Sequence, residues 1–122
     1  MHLEFDFDVG EIMPGHRVRL RGIDRNEYGI SVLNYEHHPG LDSTSPTPDW
    51  GLTFSDDLGT TTYAEDDGGG YDGHSGGEWT PGFRDIGIIP YGAHQLIVHV
   101  RPQPGWTPPE PWLREIVIPL HL

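Results

Sequence analysis

Apolar and polar residues alternate in short runs along most of the chain, and this period of two predicts β-strands. In the first run, residues 3–9, apolar positions alternate with acidic ones, so one face of the strand is apolar and the other is charged. No window has apolar residues at helical spacing over three turns. The pattern predicts eight strands, at residues 3–9, 17–21, 28–35, 52–55, 60–63, 82–89, 95–101 and 112–120.

The second run has the same period as the first but carries three arginines where the first carries acids. Antiparallel partners keep a constant residue sum, so a hairpin of the two runs sets acids against arginines. Such exposed pairs contribute about 0.2–1 kcal/mol each, so we expect them to specify register more than stability. An anion site on the arginine row is the alternative. The predicted pairs are Asp8–Arg17, Asp6–Arg19 and Glu4–Arg21.

The third run is apolar on both faces toward its end, which predicts a central strand. Gly59 follows two aspartates in a predicted tight turn after the fourth run, where a positive φ favours glycine. Phe83 is the expected core anchor of the sixth run. One apolar member of each alternating run is assigned to the core, and these residues are Leu20, Val32, Phe54, Phe83 and Val98.

Short strands joined by glycine- and proline-rich segments indicate an all-β fold. Long connections follow the third, fifth and seventh strands, which favours an immunoglobulin-like antiparallel β-sandwich with Greek-key connections. A partly open barrel is the alternative. At 122 residues, the chain is expected to form one domain spanning residues 1–122.

The net charge of −12 is concentrated in the middle of the chain. Residues 26–83 contain eleven Asp and Glu and no Arg or Lys, whereas the rest of the chain nets −1. This charge argues against duplex nucleic acid and anionic membranes as partners, because both require clustered basic residues. There are no cysteines, so disulfides and thiolate chemistry are excluded. If Met1 is the native start, a cytoplasmic location is expected, since no signal peptide follows it.

A resemblance follows from the second half of the chain. The succession SDDLGTTTY, a glycine-rich loop with aspartates, GF and IIPYGAHQLIVHV resembles a pattern in uncharacterised actinobacterial proteins with an immunoglobulin-like sandwich domain. The matching elements are turn and core residues. The resemblance therefore implies the fold and no activity.

The acidic segment, residues 65–78, is the first candidate for chemistry. Its carboxylates and glycine-exposed carbonyls are the hard oxygen ligands that calcium prefers. The spacing differs from that of the twelve-residue EF-hand loop, and a solvated acidic loop is the alternative interpretation. The predicted metal ligands are Glu65, Asp66, Asp67 and Asp72.

Histidine and nucleophile chemistry is less favoured by the pattern. His37 and His38 are adjacent, and neighbours on a strand point to opposite faces, so they are not expected to bind one ion. No GxSxG motif is present, and His74 beside Ser75 lies in a glycine loop without rigid geometry. We therefore expect no enzymatic activity.

The aromatic residues that border the long connections are the second candidate. One of the four tryptophans is expected in the core. The others are expected either to be half-buried plugs under the long connections or, alternatively, to form a platform for a sugar ring or a proline-rich peptide. The sequence predicts a non-enzymatic binding or scaffolding module that contacts a protein or a glycan through the acidic segment. A calcium-dependent carbohydrate-binding module is the alternative, and a hydrolase is the third hypothesis. The predicted ligand-binding residues are Trp50, Tyr71 and Trp79.

Overall fold

The computed structural model of the protein describes residues 2–38, 50–59, 69–71 and 79–120, with 69–71 described as backbone only. These residues contain no helix, and therefore none long and apolar enough to cross a membrane. The strands are β1 (His2–Met13), β2 (His16–Arg25), β3 (Ile30–His38), β4 (Gly51–Asp56), β5 (Gly69–Tyr71), β6 (Thr80–Ile88), β7 (Gln95–Arg101) and β8 (Glu115–Pro119).

The strands form two antiparallel sheets, which confirms the predicted sandwich. One sheet has the order β1-β2-β3-β6-β5, and the other has the order β4-β7-β8. Strand β3 lies in the middle of the larger sheet, as its two-sided apolar pattern predicts. The chain passes between the sheets after β3, β4 and β6, so β3 pairs with β6 while β4 pairs with β7. These non-sequential pairings come from connections that cross from one sheet of the sandwich to the other.

A single apolar cluster fills the space between the two sheets. Alternate residues of β7 and β8 point into it, among them Leu96, Val98, Ile116 and Ile118. Burial of such side chains contributes roughly 1.5–3 kcal/mol each. The proline-rich segment 102–113 runs along β1, where two main-chain hydrogen bonds join it to that strand. Residues 102–114 contain no strand, so the last strand, predicted at residues 112–120, begins three residues later, at Glu115.

The predicted core is correct for Leu20, Phe54 and Val98, which are buried, but wrong for Phe83. Phe83 is 42% exposed. The even-numbered residues at the start of β6 point inward, and they include a glycine and an arginine, so apolarity does not mark the inner face of this strand. The prediction is also wrong for Val32, which is half-buried on the outer face of β3, because the buried face of this strand is the one that carries Leu33.

The predicted register of β1 and β2 is wrong, although the two strands do pair. Asp8, and not Asp6, lies opposite Arg19. Three register shifts each add one residue to β1, so the 12 residues of β1 lie against residues 16–24 of β2. Such shifts are β-bulges, and they break the constant residue sum on which the prediction rested.

The tight turn after β4 is confirmed. Gly59 has a φ of 83°, and its N–H donates to the carbonyl of Asp56 at 3.3 Å. The Asp57 carboxylate accepts hydrogen bonds from the N–H groups of His94 and Gln95, at 2.9 and 3.2 Å, which joins this turn to the start of β7. The main-chain bond from His94 is the largest of the contributions that lower the pKa of Asp57. The strand predicted at residues 60–63 lies outside the described residues.

Candidate functional site

Two connections, residues 39–49 and 72–78, start and end at one end of the sandwich. Residues 39–49 join His38 to Trp50, and residues 72–78 precede Trp79. The rings of His38 and Trp79 are in contact, with centroids 5.1 Å apart. The described residues that border both connections are therefore close together, and we call this end of the molecule the acidic end.

At the acidic end, the guanidinium of Arg84 lies between the two sheets and contacts two aromatic rings. This group lies 4.6 Å from the ring centroid of Trp50 and 5.2 Å from that of Tyr35. Its Nη1 donates to the Tyr35 hydroxyl at 3.2 Å. The two rings meet edge to face, with centroids 5.2 Å apart. Cation–π contacts of this kind contribute roughly 0.5–2 kcal/mol, and here they join β3, β6 and the start of β4.

On the outer face of the larger sheet, Trp79 packs beneath Arg19. The guanidinium carbon of Arg19 is 4.3 Å from the Trp79 ring centroid, and Arg19 Nε donates to Glu36 Oε1 at 3.3 Å. One face of the indole is therefore covered by a side chain of the same chain. Trp79 is half-buried as a result.

The arginine row of β2 is neutralised by carboxylates, as predicted, but with partly different partners. Arg17 pairs with Asp8 at 2.9 Å, which is the predicted pair. The other two arginines do not pair as predicted, because the bulges in β1 move its acids along the strand and Glu36 of β3 also takes part. The observed pairs are Arg21–Asp6 at 3.1 Å, Arg21–Glu36 at 3.2 Å and Arg19–Glu36 at 3.3 Å.

A histidine pair lies beside this row and is not evident from the sequence. His16 Nδ1 and His37 Nε2 are 2.9 Å apart, so one of these nitrogens donates a hydrogen bond to the other. Burial lowers the pKa of His37 to about 4, and burial also lowers the pKa of His16. The pair is therefore neutral at pH 7 and does not act as a cationic site. His38 lies on the opposite face from His37, which confirms that the two do not converge.

The structure separates the predicted ligand-binding residues. Trp50 is 3% exposed and is the predicted core tryptophan, so its ring faces are not open to a ligand. Trp79 offers at most one face, and of Tyr71 only the main chain is described, paired with Gly82. The predicted metal ligands Glu65, Asp66, Asp67 and Asp72 lie outside the described residues. Among the residues that the structure describes, no three His, Asp or Glu side chains are placed to hold a metal ion.

No protein-family model matches the chain, and neither a curated protein nor a solved structure is significantly similar to it. The resemblance to actinobacterial sandwich domains therefore stays a prediction.

Proposed function

We propose that the protein is a non-catalytic binding module that contacts another protein through the acidic segment, residues 65–78. The observation that carries this proposal is the distribution of charge. Residues 26–83 contain eleven acids and no Arg or Lys, so the counter-charge for these acids comes from elsewhere in the chain or from a partner.

In the described part of the fold, most of the arginines are already neutralised by acids of the same chain. Arg17, Arg19, Arg21 and Arg114 form ion pairs with acids outside the acidic segment. Three of the four described acids of the central region have internal roles as well, since Glu36 pairs with Arg19 and Arg21, and Asp56 and Asp57 accept main-chain hydrogen bonds. The five acids of the acidic segment are the largest group beyond these, and a basic protein surface is the partner that complements them.

The test is calorimetric titration with octalysine, which supplies basic charge without any other feature. Replacing Asp66, Asp67 and Asp72 together by Asn is expected to weaken binding at least tenfold. The matched control replaces three exposed acids on other strands and segments, Glu4→Gln, Glu110→Gln and Glu115→Gln, and changes the net charge equally; β1, which carries Glu4, is at the opposite edge of the larger sheet from β5.

If the control variant loses as much affinity as the segment variant, the binding reflects diffuse net charge, and the acidic segment is not the contact surface. Binding that is unchanged in both variants also contradicts the proposal. Repeating the titration at two salt concentrations measures the electrostatic share, because exposed charges more than about 8 Å apart are largely screened at physiological ionic strength.

A further inference from the structure

At the end of the sandwich opposite the acidic end, four large apolar side chains are exposed together. Ile30 begins β3, and the register places it opposite Ile88 at the end of β6. The turn after β2 and the hairpin after β6 each add a tyrosine beside them. The exposed fractions are 74% for Tyr28, 48% for Ile30, 63% for Ile88 and 95% for Tyr91.

Three of these residues, Tyr28, Ile88 and Tyr91, border an open cleft of about 440 Å³, which we call the tyrosine cleft. It is lined by residues 25–29, Ile88, Ile89 and Tyr91. A second cleft of similar volume shares Arg25 and Asn26 with it and extends the surface past Ile30 and Val32 to Asp24. Clustered exposed apolar side chains with a polar border commonly mark interaction sites.

The turn that carries Tyr28 is held by four hydrogen bonds to one residue. Asn26 Oδ1 accepts from the N–H groups of Tyr28 and Ile30, at 2.9 and 3.0 Å. The Asn26 main chain bonds to Gly29 and Ile30 at 3.0 Å. The main chain that carries Tyr28 is therefore fixed by the fold, so a ligand does not have to order this turn.

The other wall of the cleft is fixed by Arg25. Its guanidinium carbon lies 5.7 Å from the Tyr91 ring centroid, and its Nη2 donates to the carbonyl of Ile89 at 3.4 Å. Arg25 thus joins the turn after β2 to the hairpin after β6. The Tyr91 side of the cleft carries a positive charge, whereas the Tyr28 side carries the exposed carboxylate of Glu27.

We propose that the tyrosine cleft is a second docking site, which binds a protein segment that combines a basic side chain with an apolar one. The basic side chain lies over the Tyr28 ring beside Glu27, where ring face and carboxylate both attract a cation. The apolar side chain packs between Ile30 and Ile88. Charge complementarity favours this occupant, because the chain as a whole carries −12 and repels a second copy of itself.

The site is distinct from the acidic end. β3 runs from Ile30 at the cleft to His38 at the acidic end, and its eight residue-to-residue steps of about 3.3 Å separate the two by roughly 26 Å. A short peptide that occupies one end does not reach the other. Failure at the two sites is separable, because amide signals of residues 25–30 and 86–91 report on the cleft and replacements at residues 66, 67 and 72 report on the acidic segment.

The experiment uses three capped pentapeptides and the ¹⁵N-labelled full chain. One peptide alternates arginine and leucine, the second replaces arginine by glutamate, and the third replaces leucine by serine. We expect the arginine–leucine peptide to shift amide signals of residues 25–30 and 86–91. The other two peptides are expected to bind at least tenfold more weakly.

Tyr28→Ser and Glu27→Gln are each expected to weaken binding of the arginine–leucine peptide at least fivefold, with Tyr91→Ser as a second variant if Tyr28→Ser fails to fold. The control is Val117→Ser, an exposed apolar residue on β8 of the other sheet. The triple variant Asp66→Asn, Asp67→Asn and Asp72→Asn is expected to keep the shifts at the cleft.

Three results would overturn the proposal. In the first, the glutamate–leucine peptide binds as well as the arginine–leucine peptide, which removes the charge requirement. In the second, Tyr28→Ser binds like the wild type. In the third, the same signals shift with protein concentration when no peptide is present, which identifies a second copy of the chain as the occupant.

Discussion

Arg84 and Phe83 occupy positions opposite to those expected from their side chains. Arg84 points between the sheets and lies against the faces of Tyr35 and Trp50, which accept a guanidinium through cation–π contact. Phe83, its neighbour, points to the outer face. A period-two pattern assigns apolar residues to the inner face of a strand. The assignment fails where aromatic rings make an inner position suitable for a cation.

Phe83→Ala is therefore expected to lower the free energy of unfolding by less than about 1 kcal/mol, because the side chain is 42% exposed. Leu33→Ala is the comparison. Leu33 is fully buried on the inner face of the adjacent strand β3, and its truncation is expected to cost about 2–5 kcal/mol. Urea denaturation midpoints measure both variants. Equal losses would show that Phe83 contributes to the core after all.

His37 makes stability depend on pH. Burial lowers its pKa from 6.5 to about 4, so between these values the unfolded chain binds a proton that the folded chain does not. Its contribution is therefore fully present above pH 6.5 and is lost as the pH falls toward 4, by up to about 3 kcal/mol. The burial of His16, which lowers its pKa too, acts in the same direction.

The measurement is the urea midpoint at several pH values from 7.5 to 4.5, with the His37 ring protons followed by NMR in the folded state. We expect the midpoint to fall across this range and the ring signals to stay unshifted down to pH 5. Ring signals that titrate with a midpoint near 6.5 would contradict the assignment of the pH dependence to this residue.

At the scale of elements, β1 shows that the sequence predicts a strand and its two faces but does not predict its register. The alternation of residues 3–9 predicts the strand and its faces, and both are confirmed. The first bulge falls between Glu4 and Phe7, within a run whose alternation is unbroken, so no sequence signal marks it. Bulges and acids on an edge strand discourage pairing with other chains, which is a reason for their presence here.

The proline-rich segment packs against β1 at a position where only glycine fits. Gly10 has a φ of 98°, and a Cβ built on it would lie 3.1 Å from the Pro111 carbonyl oxygen and 3.1 Å from Trp112 Cβ. Gly15 has a φ of 79° and no neighbouring atom within 4 Å of such a Cβ. A comparison of alanine substitutions at the two glycines therefore distinguishes the cost of a positive φ from the cost of a steric clash.

Gly15→Ala is expected to cost about 1–2 kcal/mol, from the positive φ alone. Gly10→Ala is expected to cost clearly more, because residues 111 and 112 have to move away from β1. Denaturation midpoints compare the two variants, and hydrogen exchange of the Leu113 amide, which donates to the Val9 carbonyl at 2.8 Å, reports on the displaced segment. Similar midpoints for the two variants would mean that the segment adjusts without cost.

For the whole molecule, local pattern was sufficient for the sandwich but not for the sites. β7 has the predicted bounds and faces, since its alternation is set by packing on one side. The tyrosine cleft depends on the pairing of Ile30 with Ile88, and the histidine pair on contact between residues 21 apart. Both follow from the order of strands in the sheet, which a period of two does not specify.

Net charge leads to the last prediction. A chain of −12 repels itself in the folded state, so raising NaCl from about 10 to 150 mM shortens the screening length from about 30 to 8 Å and is expected to raise the melting temperature. CaCl₂ at matched ionic strength separates screening from specific binding. We expect the same melting temperature in both salts, because the proposed ligand of the acidic segment is a protein.

A calcium-specific increase would favour the alternative, a metal site at Glu65, Asp66, Asp67 and Asp72. Binding to the folded state alone stabilises by RT ln(1 + [L]/Kd), about 2.7 kcal/mol at a hundredfold excess over Kd, or roughly 10 °C for a chain of this size. Replacing Asp66, Asp67 and Asp72 by Asn has to abolish such an increase while leaving the response to NaCl largely intact. If the calcium-specific increase in melting temperature persists in this variant, the ion binds elsewhere, and the proposal of a protein partner for the acidic segment stands.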